Sequence, residues 1–117
     1  MAAERRYNPR APLNLNVQWE GYIGPQKGTL TDISTTGCFV LCSGEVLDGQ
    51  RVQISIKLPK GKVVRLWGEV INHVDDVGFA VQFTSIDESE KKFLRKLVDR
   101  AFQEQVRAEF EAKDIAE

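Results

Sequence analysis

Hydrophobic residues recur at every second position through most of the chain, and this period constrains the fold more than any other feature. In "RVQISIKL" the apolar side chains are Val52, Ile54, Ile56 and Leu58. Strict alternation predicts strands with one buried face, and glycine and proline stand at the ends of the runs. Six runs are predicted as strands, with "GPQKG" as the turn between the first two: LNLNVQWEGYI, GTLTDI, GCFVLC, RVQISIKL, VVRLWGEVINHV and GFAVQF. They predict a mainly β protein, a six-stranded antiparallel sheet closed or nearly closed into a small barrel.

The period changes after the last predicted strand. Asp87 and Glu90 form a capping-box-like start, which predicts a helix from Asp87 to Lys113. At about 1.5 Å per residue this helix is longer than a small barrel can cover. We therefore predict a barrel plus helix over residues 13–102 and a helical extension over 103–117. The extension is either a solvated tail or a contact surface for a homodimer or a target protein. One apolar face runs along the whole helix and consists of Phe93, Leu94, Leu97, Val98, Ala101, Phe102, Val106 and Phe110.

Composition limits the classes of function. With 117 residues, 42% hydrophobic and 28% charged, the chain has the length and balance of one soluble globular domain. It has no apolar run of the roughly 20 residues that a membrane span needs and no signal peptide, so we expect a cytoplasmic protein without a membrane partner. The net charge of −1 argues against a surface built for nucleic acid. Any anion must therefore be bound by a local cluster.

Metal binding and catalysis find little support in the sequence. Cys38 and Cys42 stand four residues apart in a predicted strand, too far to form a disulfide, and we interpret both as packed thiols of a reducing compartment. His73 is the only histidine and has no second His or Cys beside it. With Asp75 and Asp76 nearby but no nucleophile or third orienting group, it is interpreted as part of a surface turn. We predict no enzyme and no metal.

Three arginines precede the first predicted strand. Arg6 and Arg10 are spaced R-x-x-x-R, Arg5 is adjacent, and Pro9 stiffens the approach. Two guanidinium groups on one short segment can form bidentate hydrogen bonds with phosphate oxygens or with the O6 and N7 edge of guanine. The alternative is a solvated basic tail.

A second motif, "DISTTG", joins the second and third predicted strands. Asp32, Ser34 and Gly37 form D-x-S-x-x-G. As a turn, this stretch would use the positive φ that glycine permits and side-chain bonds from Asp and Ser to the backbone. As a site, the carboxylate can accept the N1 and N2 donors of guanine, while the hydroxyl binds phosphate or fixes the loop.

The sequence resembles the PilZ domain, a family of bacterial cyclic di-GMP receptors. The resemblance rests on three segments in this order within a predicted barrel: "RRYNPR", "DISTTG" and the final strand "VGFAVQF". The resemblance spans nearly the whole chain, and neither motif departs from the family pattern. It implies that residues 1–12 are a mobile arm whose Arg6 and Arg10 bind the phosphates and Hoogsteen edges of the guanines. It also implies that Asp32 and Ser34 contact a guanine and its neighbouring phosphate, while Gly37 shapes the turn.

Arg5 leads to a further hypothesis. A third guanidinium beside the motif can stack on or bond to a second nucleotide, which favours an intercalated cyclic di-GMP dimer as the ligand. The ordinary alternative is that Arg5 only raises the local potential.

Trp67 and Gly78 are secondary candidates. Trp67 is expected to pack under the C-terminal helix, with stacking on a base as the alternative, whereas Trp19 is expected in the core. Gly78 begins the final strand and is considered only as a secondary ligand-site residue.

The resemblance implies a receptor that changes conformation when it binds the ligand and signals to a separate, unidentified effector protein. The expected output is motility, biofilm or pilus-related. Two alternatives remain: a nucleotide-independent scaffold with the same fold, and a small barrel for single-stranded nucleic acid. The net charge speaks against the second of these.

Overall fold

Six β-strands and one α-helix make up most of residues 9–116, the part of the chain that the computed structural model describes; side chains are described through Glu111. The elements are β1 (Ala11–Glu20), β2 (Pro25–Ile33), β3 (Gly37–Leu41), β4 (Arg51–Lys57), β5 (Val63–Val74), β6 (Gly78–Phe83) and α1 (Glu88–Ala116).

The strands close into an antiparallel barrel, as the sequence pattern predicts. The order around the barrel is β1-β2-β3-β6-β5-β4. β1 pairs with β2 along most of its length and also with β4, where Trp19 lies opposite Ile54. This second pairing completes the ring, so the sheet has no long exposed edge.

The interior of the barrel is filled by the apolar half of each alternating strand. In β4, Val52, Ile54 and Ile56 are buried while the residues between them face outward. Trp19 is 1% exposed and meets the ring of Phe79 edge to face, with 4.9 Å between the ring centroids. The expectation that Trp19 belongs to the core is confirmed.

Helix α1 begins with the predicted capping box. The backbone N–H of Glu90 donates to Asp87 Oδ1 at 2.7 Å, and the backbone N–H of Asp87 donates to Glu90 Oε1 at 3.0 Å. These bonds satisfy donors that the first helical turn leaves free. Along the first half of the helix, Leu94, Val98 and Ala101 are buried in the same core as the barrel residues.

The second half of α1 leaves the barrel. Val106 and Phe110 are 62% and 66% exposed. The helix continues to Ala116, three residues beyond the predicted end at Lys113.

The turn predicted at "GPQKG" is misplaced. β2 already begins at Pro25, and the reversal lies in residues 21–24, where Gly24 has a φ of 104°. Tyr22 and Ile23 are consequently exposed turn residues rather than the end of β1. Their apolar character suggested a longer strand, but β1 ends at Glu20 and the chain bends through residues 21–23 before Gly24 adopts its positive φ.

Candidate ligand-binding site

The turn between β2 and β3 is organised by Ser34. Its backbone N–H donates to the carbonyl of Gly37 at 2.8 Å, and its Oγ accepts the backbone N–H groups of Thr36 and Gly37 at 3.2 and 3.1 Å. The side chain is 1% exposed. In this structure Ser34 therefore fixes the turn from inside, as Ser side chains commonly do.

Gly37 is required by close packing rather than by its backbone angle. An added Cβ would lie 2.3 Å from the carbonyl oxygen of Val81 on β6. The φ of Gly37 is outside the left-handed region, so the expectation of a positive φ is wrong. The absent side chain instead lets the start of β3 approach β6, where Gly37 pairs with Gln82.

Asp32 reaches the surface because β2 contains a bulge. Leu30 and Ile33 are both buried although three positions separate them, and the register of β2 against β3 shifts between Leu30 and Asp32. An extra residue in a strand turns the following side chains relative to the sheet. Thr31 and Asp32 consequently both lie on the outer face, half-buried.

Arg10 and Asp32 meet on that face. Nη1 of Arg10 donates to Oδ1 of Asp32, and the two side chains are 45% and 34% exposed. Asp32 lies opposite Pro12 in the β1–β2 ladder, which places the segment just before β1 beside the carboxylate. Thus one member of the R-x-x-x-R motif and the acidic residue of D-x-S-x-x-G are brought together, although 22 positions separate them. Arg5 and Arg6 lie outside the described residues.

Cys38 lies next to this site but faces inward. It is fully buried in the core. Burial, with a smaller contribution from the negative charge of Asp32, raises the pKa of its thiol well above the ordinary value of 9.0. A thiol in this state is a poor nucleophile. Cys42 is half-buried and follows β3, so both cysteines are free and packed as predicted.

Trp67 is stacked against an arginine. Its side chain is 39% exposed, and the guanidinium carbon of Arg51 lies 4.2 Å from the ring centroid. Arg51 thus covers one face of the ring, and packing of Trp67 under the C-terminal helix stays a prediction. Arg51 pairs with Glu69 and Gln53 pairs with Trp67 across the β4–β5 hairpin, so the register places this cation over the indole.

Gly78 is distant from the turn that carries the motif. It pairs with Leu41, at the opposite end of the β3–β6 ladder from the Gly37–Gln82 pair. An added Cβ would lie 2.1 Å from the carbonyl oxygen of Val40. The structure thus gives Gly78 a packing role and does not bring it to Asp32.

Two features of the site were missed in the sequence. The β2 bulge is signalled by the spacing of Leu30 and Ile33, which breaks a period of two. Arg51 was missed because its pairing with Glu69, which makes Trp67 its diagonal neighbour, requires a hairpin centred on Lys60 rather than on the middle of "PKGK".

The described residues contain no group of three or more His, Cys, Asp or Glu side chains arranged to hold a metal ion. No helix in the same part of the chain is long and apolar enough to cross a membrane.

The fold and site define a closed six-stranded β-barrel with an exposed arginine–aspartate pair beside a glycine-dependent turn. The chain belongs to the PilZ domain family, whose model matches residues 4–100. A comparison with curated proteins gives no match.

Solved structures share the fold at low sequence identity. The PilZ domain of CeSA from a cellulose-synthesizing bacterium aligns with a TM-score of 0.63 and 21% identity, over 77% of this chain and 94% of that chain. The PilZ domain with c-di-GMP of YcgR from Escherichia coli aligns with a TM-score of 0.71 and 16% identity, over 86% and 94%. The Bacillus subtilis inhibitor of motility, MotI/DgrA, aligns with a TM-score of 0.70 and 17% identity, over 88% of this chain and 52% of that chain.

Proposed function

We propose that this chain is a non-enzymatic receptor for cyclic di-GMP that signals to a separate effector protein. The observation that carries the proposal is the convergence of Arg10 and Asp32 on one exposed patch. A guanidinium fork can bind phosphate or the Hoogsteen edge of guanine, and a carboxylate can accept the N1 and N2 donors of the same base. Membership of the PilZ family and the c-di-GMP named with the YcgR domain support this choice of ligand.

Each residue has a distinct part in the proposed site. Arg5, Arg6 and Arg10 supply the cations, and Asp32 selects guanine. Ser34 and Gly37 act mainly by holding the turn, since Ser34 is buried and Gly37 packs on β6. Arg5 gives the site a third cation, which suits an intercalated dimer of the nucleotide.

The ion pair between Arg10 and Asp32 describes the ligand-free state. Exposed pairs of this kind contribute about 0–1 kcal/mol, so the nucleotide can replace it at little cost. Arg10 would then turn from Asp32 to a phosphate or a guanine edge, and Asp32 to the Watson–Crick edge. This exchange would attach the N-terminal arm to the barrel through the ligand and create a surface that an effector can distinguish from the free one.

Isothermal titration calorimetry with cyclic di-GMP tests the proposal, and separate titrations with GTP and cyclic di-AMP are the nucleotide controls. Asp32→Asn keeps the size of the side chain but replaces one acceptor by a donor, so we expect affinity to fall by about tenfold or more. Arg10→Ala is expected to act in the same direction. Asp99→Asn and Arg107→Ala, which alter exposed residues of α1, are matched controls.

The outcomes are distinct. Saturable heat for cyclic di-GMP alone, lost in the two site variants and kept in the controls, supports the receptor. No heat with the folded protein would instead favour the nucleotide-independent scaffold. A stoichiometry near two nucleotides per chain supports the intercalated dimer, and a value near one removes it.

The proposed effector controls motility, biofilm formation or a pilus-related process. One structural relative is named an inhibitor of motility, which supports the first of these outputs. Swimming assays in the source bacterium, comparing the wild type with Asp32→Asn, would show whether the output depends on the ligand site.

A further inference from the structure

A concave surface lies at the other end of the barrel from the Ser34–Gly37 turn. Its volume is about 640 Å³. Its walls come from the β1–β2 turn, the segment between β3 and β4, and the β5–β6 turn. We call it the distal cleft. Gly78 lines it, whereas Gly37 lies at the far end of the same β3–β6 ladder, so the cleft is separate from the proposed nucleotide site.

Large apolar side chains on the walls of the distal cleft are open to solvent. Tyr22 and Ile23, on the β1–β2 turn, are 76% and 74% exposed, and Leu47 is 66% exposed. Val74, at the end of β5, is half exposed. Exposed apolar residues gathered around one concavity are typical of a protein-binding surface.

The charges of the distal cleft are predominantly negative. Glu45, Asp75 and Asp76 line it, and none of its lining residues is lysine or arginine. His73 is the one lining residue that can become cationic, and its ring nitrogens lie 2.6 Å from Asp48 and 3.5 Å from Asp75. Even with His73 protonated, the three lining carboxylates leave the cleft with an acidic excess.

A buried donor beneath the cleft has no acceptor. Trp19 lines the cleft with 1% of its surface exposed, and within the described part of the chain its indole Nε1 has no hydrogen-bond partner. The neighbouring edge of the ring lies under Gly44, where an added Cβ would be 3.0 Å from Cζ2. Buried donors are almost always paired, and an unpaired one costs about 1–3 kcal/mol. The donor itself is closed to solvent, so the Trp19 indole serves as a reporter beneath the cleft rather than as a bonding group for its occupant.

We propose that the distal cleft binds a basic, apolar segment of a partner protein. Lysine or arginine side chains of the segment pair with Glu45, Asp75 and Asp76, and its apolar side chains cover Ile23 and Leu47. The cleft is built from residues remote from Arg10 and Asp32, so this proposal holds whether or not the chain binds a nucleotide.

A second copy of this chain is a poorer occupant. Its exposed apolar helix face, with Val106 and Phe110, lies in a segment of acidic excess: residues 103–111 contain Glu104, Glu109 and Glu111 but only Arg107 as a cation. Like charges placed together at an interface oppose association. Charge complementarity therefore favours a different, basic chain.

Nuclear magnetic resonance offers a direct test because the chain has only two indole N–H signals, from Trp19 and Trp67. The probe is an acetylated, amidated octapeptide that alternates lysine with valine or leucine. One matched peptide replaces lysine by glutamate, and another replaces valine and leucine by serine. Titration into the ¹⁵N-labelled full chain without nucleotide is expected to shift the Trp19 indole and the amides of residues 43–47 and 73–76. The Trp67 indole should stay in place.

Two variants define the contacts. The double variant Glu45→Gln/Asp76→Asn should weaken the lysine peptide by about fivefold or more, since it removes two carboxylates and Asn tolerates the positive φ of Asp76. Leu47→Ser, at an exposed position, should weaken it by removing apolar contact. Glu104→Gln/Glu111→Gln changes the net charge equally on α1 and should leave binding unchanged.

Selective binding of the lysine peptide with these variant effects supports the proposal. Equal binding of the glutamate or serine peptide overturns it, as does the absence of cleft shifts at millimolar peptide. Shifts of the same signals on raising the protein concentration alone would make a second copy the occupant and would also overturn it.

Discussion

His73 shows how one contact raises the pKa of a residue. The hydrogen bond to Asp48, followed by the negative charges of Asp48 and Asp75, raises the pKa of His73 above its ordinary value of 6.5 despite an opposing desolvation effect. Because His73 is the only histidine, its ring signal can be followed without assignment. A proton NMR titration should give a pKa above 6.5, and Asp48→Asn should lower it.

The same shift predicts the direction of a pH effect on stability. A pKa that is raised on folding means that protonation favours the folded state. The contribution of His73 is full below the unfolded-state value of about 6.5 and is lost as the pH rises through the higher folded-state pKa. Urea unfolding across this window should therefore show a loss of stability that His73→Gln does not show. An equal pH dependence in the two proteins would contradict the assignment to His73.

Gly37 gives a second prediction at the scale of one residue. In Gly37→Ala the new Cβ would meet the Val81 carbonyl oxygen at 2.3 Å, and backbone on the neighbouring strand cannot move aside as a flexible side chain would. We expect a loss of about 1–3 kcal/mol in the free energy of unfolding, measured with urea. Gly24→Ala carries a different cost: nothing lies within 4 Å of its added Cβ, but its φ of 104° strains any residue with a side chain. A loss below about 0.5 kcal/mol for Gly37→Ala would contradict this account.

The types of the site residues could be predicted from the sequence, but their geometry could not. The D-x-S-x-x-G spacing identified Asp32, Ser34 and Gly37 as one turn. Whether Ser34 faced solvent or the interior depended on the exact path of the turn. The reason for glycine at position 37 depended on β6, a strand that arrives some forty residues later in the chain.

At the scale of elements, α1 combines two segments with different energetics. Leu94 is fully buried against the barrel, while Phe110 is 66% exposed. Leu94→Ala should lower the free energy of unfolding by about 2–5 kcal/mol, because it removes buried methyl groups and leaves a cavity. Phe110→Ala should change it by less than about 0.5 kcal/mol in the monomer. Urea denaturation of both variants compares them directly.

A large loss for Phe110→Ala that depended on protein concentration would show that the exposed face is buried in a homodimer. Sedimentation equilibrium of the wild type would then confirm the dimer. Concentration-independent behaviour of both proteins would assign the second half of α1 to the monomer surface.

Most elements could be predicted because their signals are local. The alternation in β4 and the capping box at Asp87 depend on residues within one strand or one helical turn. The β1–β2 reversal was misplaced because Tyr22 and Ile23 continue the apolar pattern, while the backbone angle of Gly24 is not visible in it. The β2 bulge likewise comes from pairing with β3, which local periodicity does not describe.

The whole molecule separates two surfaces by the length of the barrel. Asp32 and the Ser34–Gly37 turn lie at one end of β3, and Cys42 and Ser43 lead into the distal cleft from the other. Closure through the β1–β4 pairing makes the strands between them a continuous, tightly packed body. A variant on one surface is therefore expected to leave the structure of the other intact.

This separation predicts that a variant of one surface weakens only the ligand of that surface. Cyclic di-GMP at one hundred times its dissociation constant should stabilise the folded state by about 2.7 kcal/mol, since a ligand that binds only the folded chain shifts unfolding by mass action. At that concentration, thermal unfolding should show the full shift in the wild type and in Glu45→Gln/Asp76→Asn, whereas a tenfold loss of affinity in Asp32→Asn should reduce the stabilisation to about 1.4 kcal/mol or less. The lysine octapeptide should give the opposite pattern: it should bind Asp32→Asn as it binds the wild type, and it should bind the cleft variant about fivefold or more weakly. If Asp32→Asn lost both ligands while remaining folded, the two surfaces would form one site or be strongly coupled, and their assignment to opposite ends of the barrel as independent sites would be wrong.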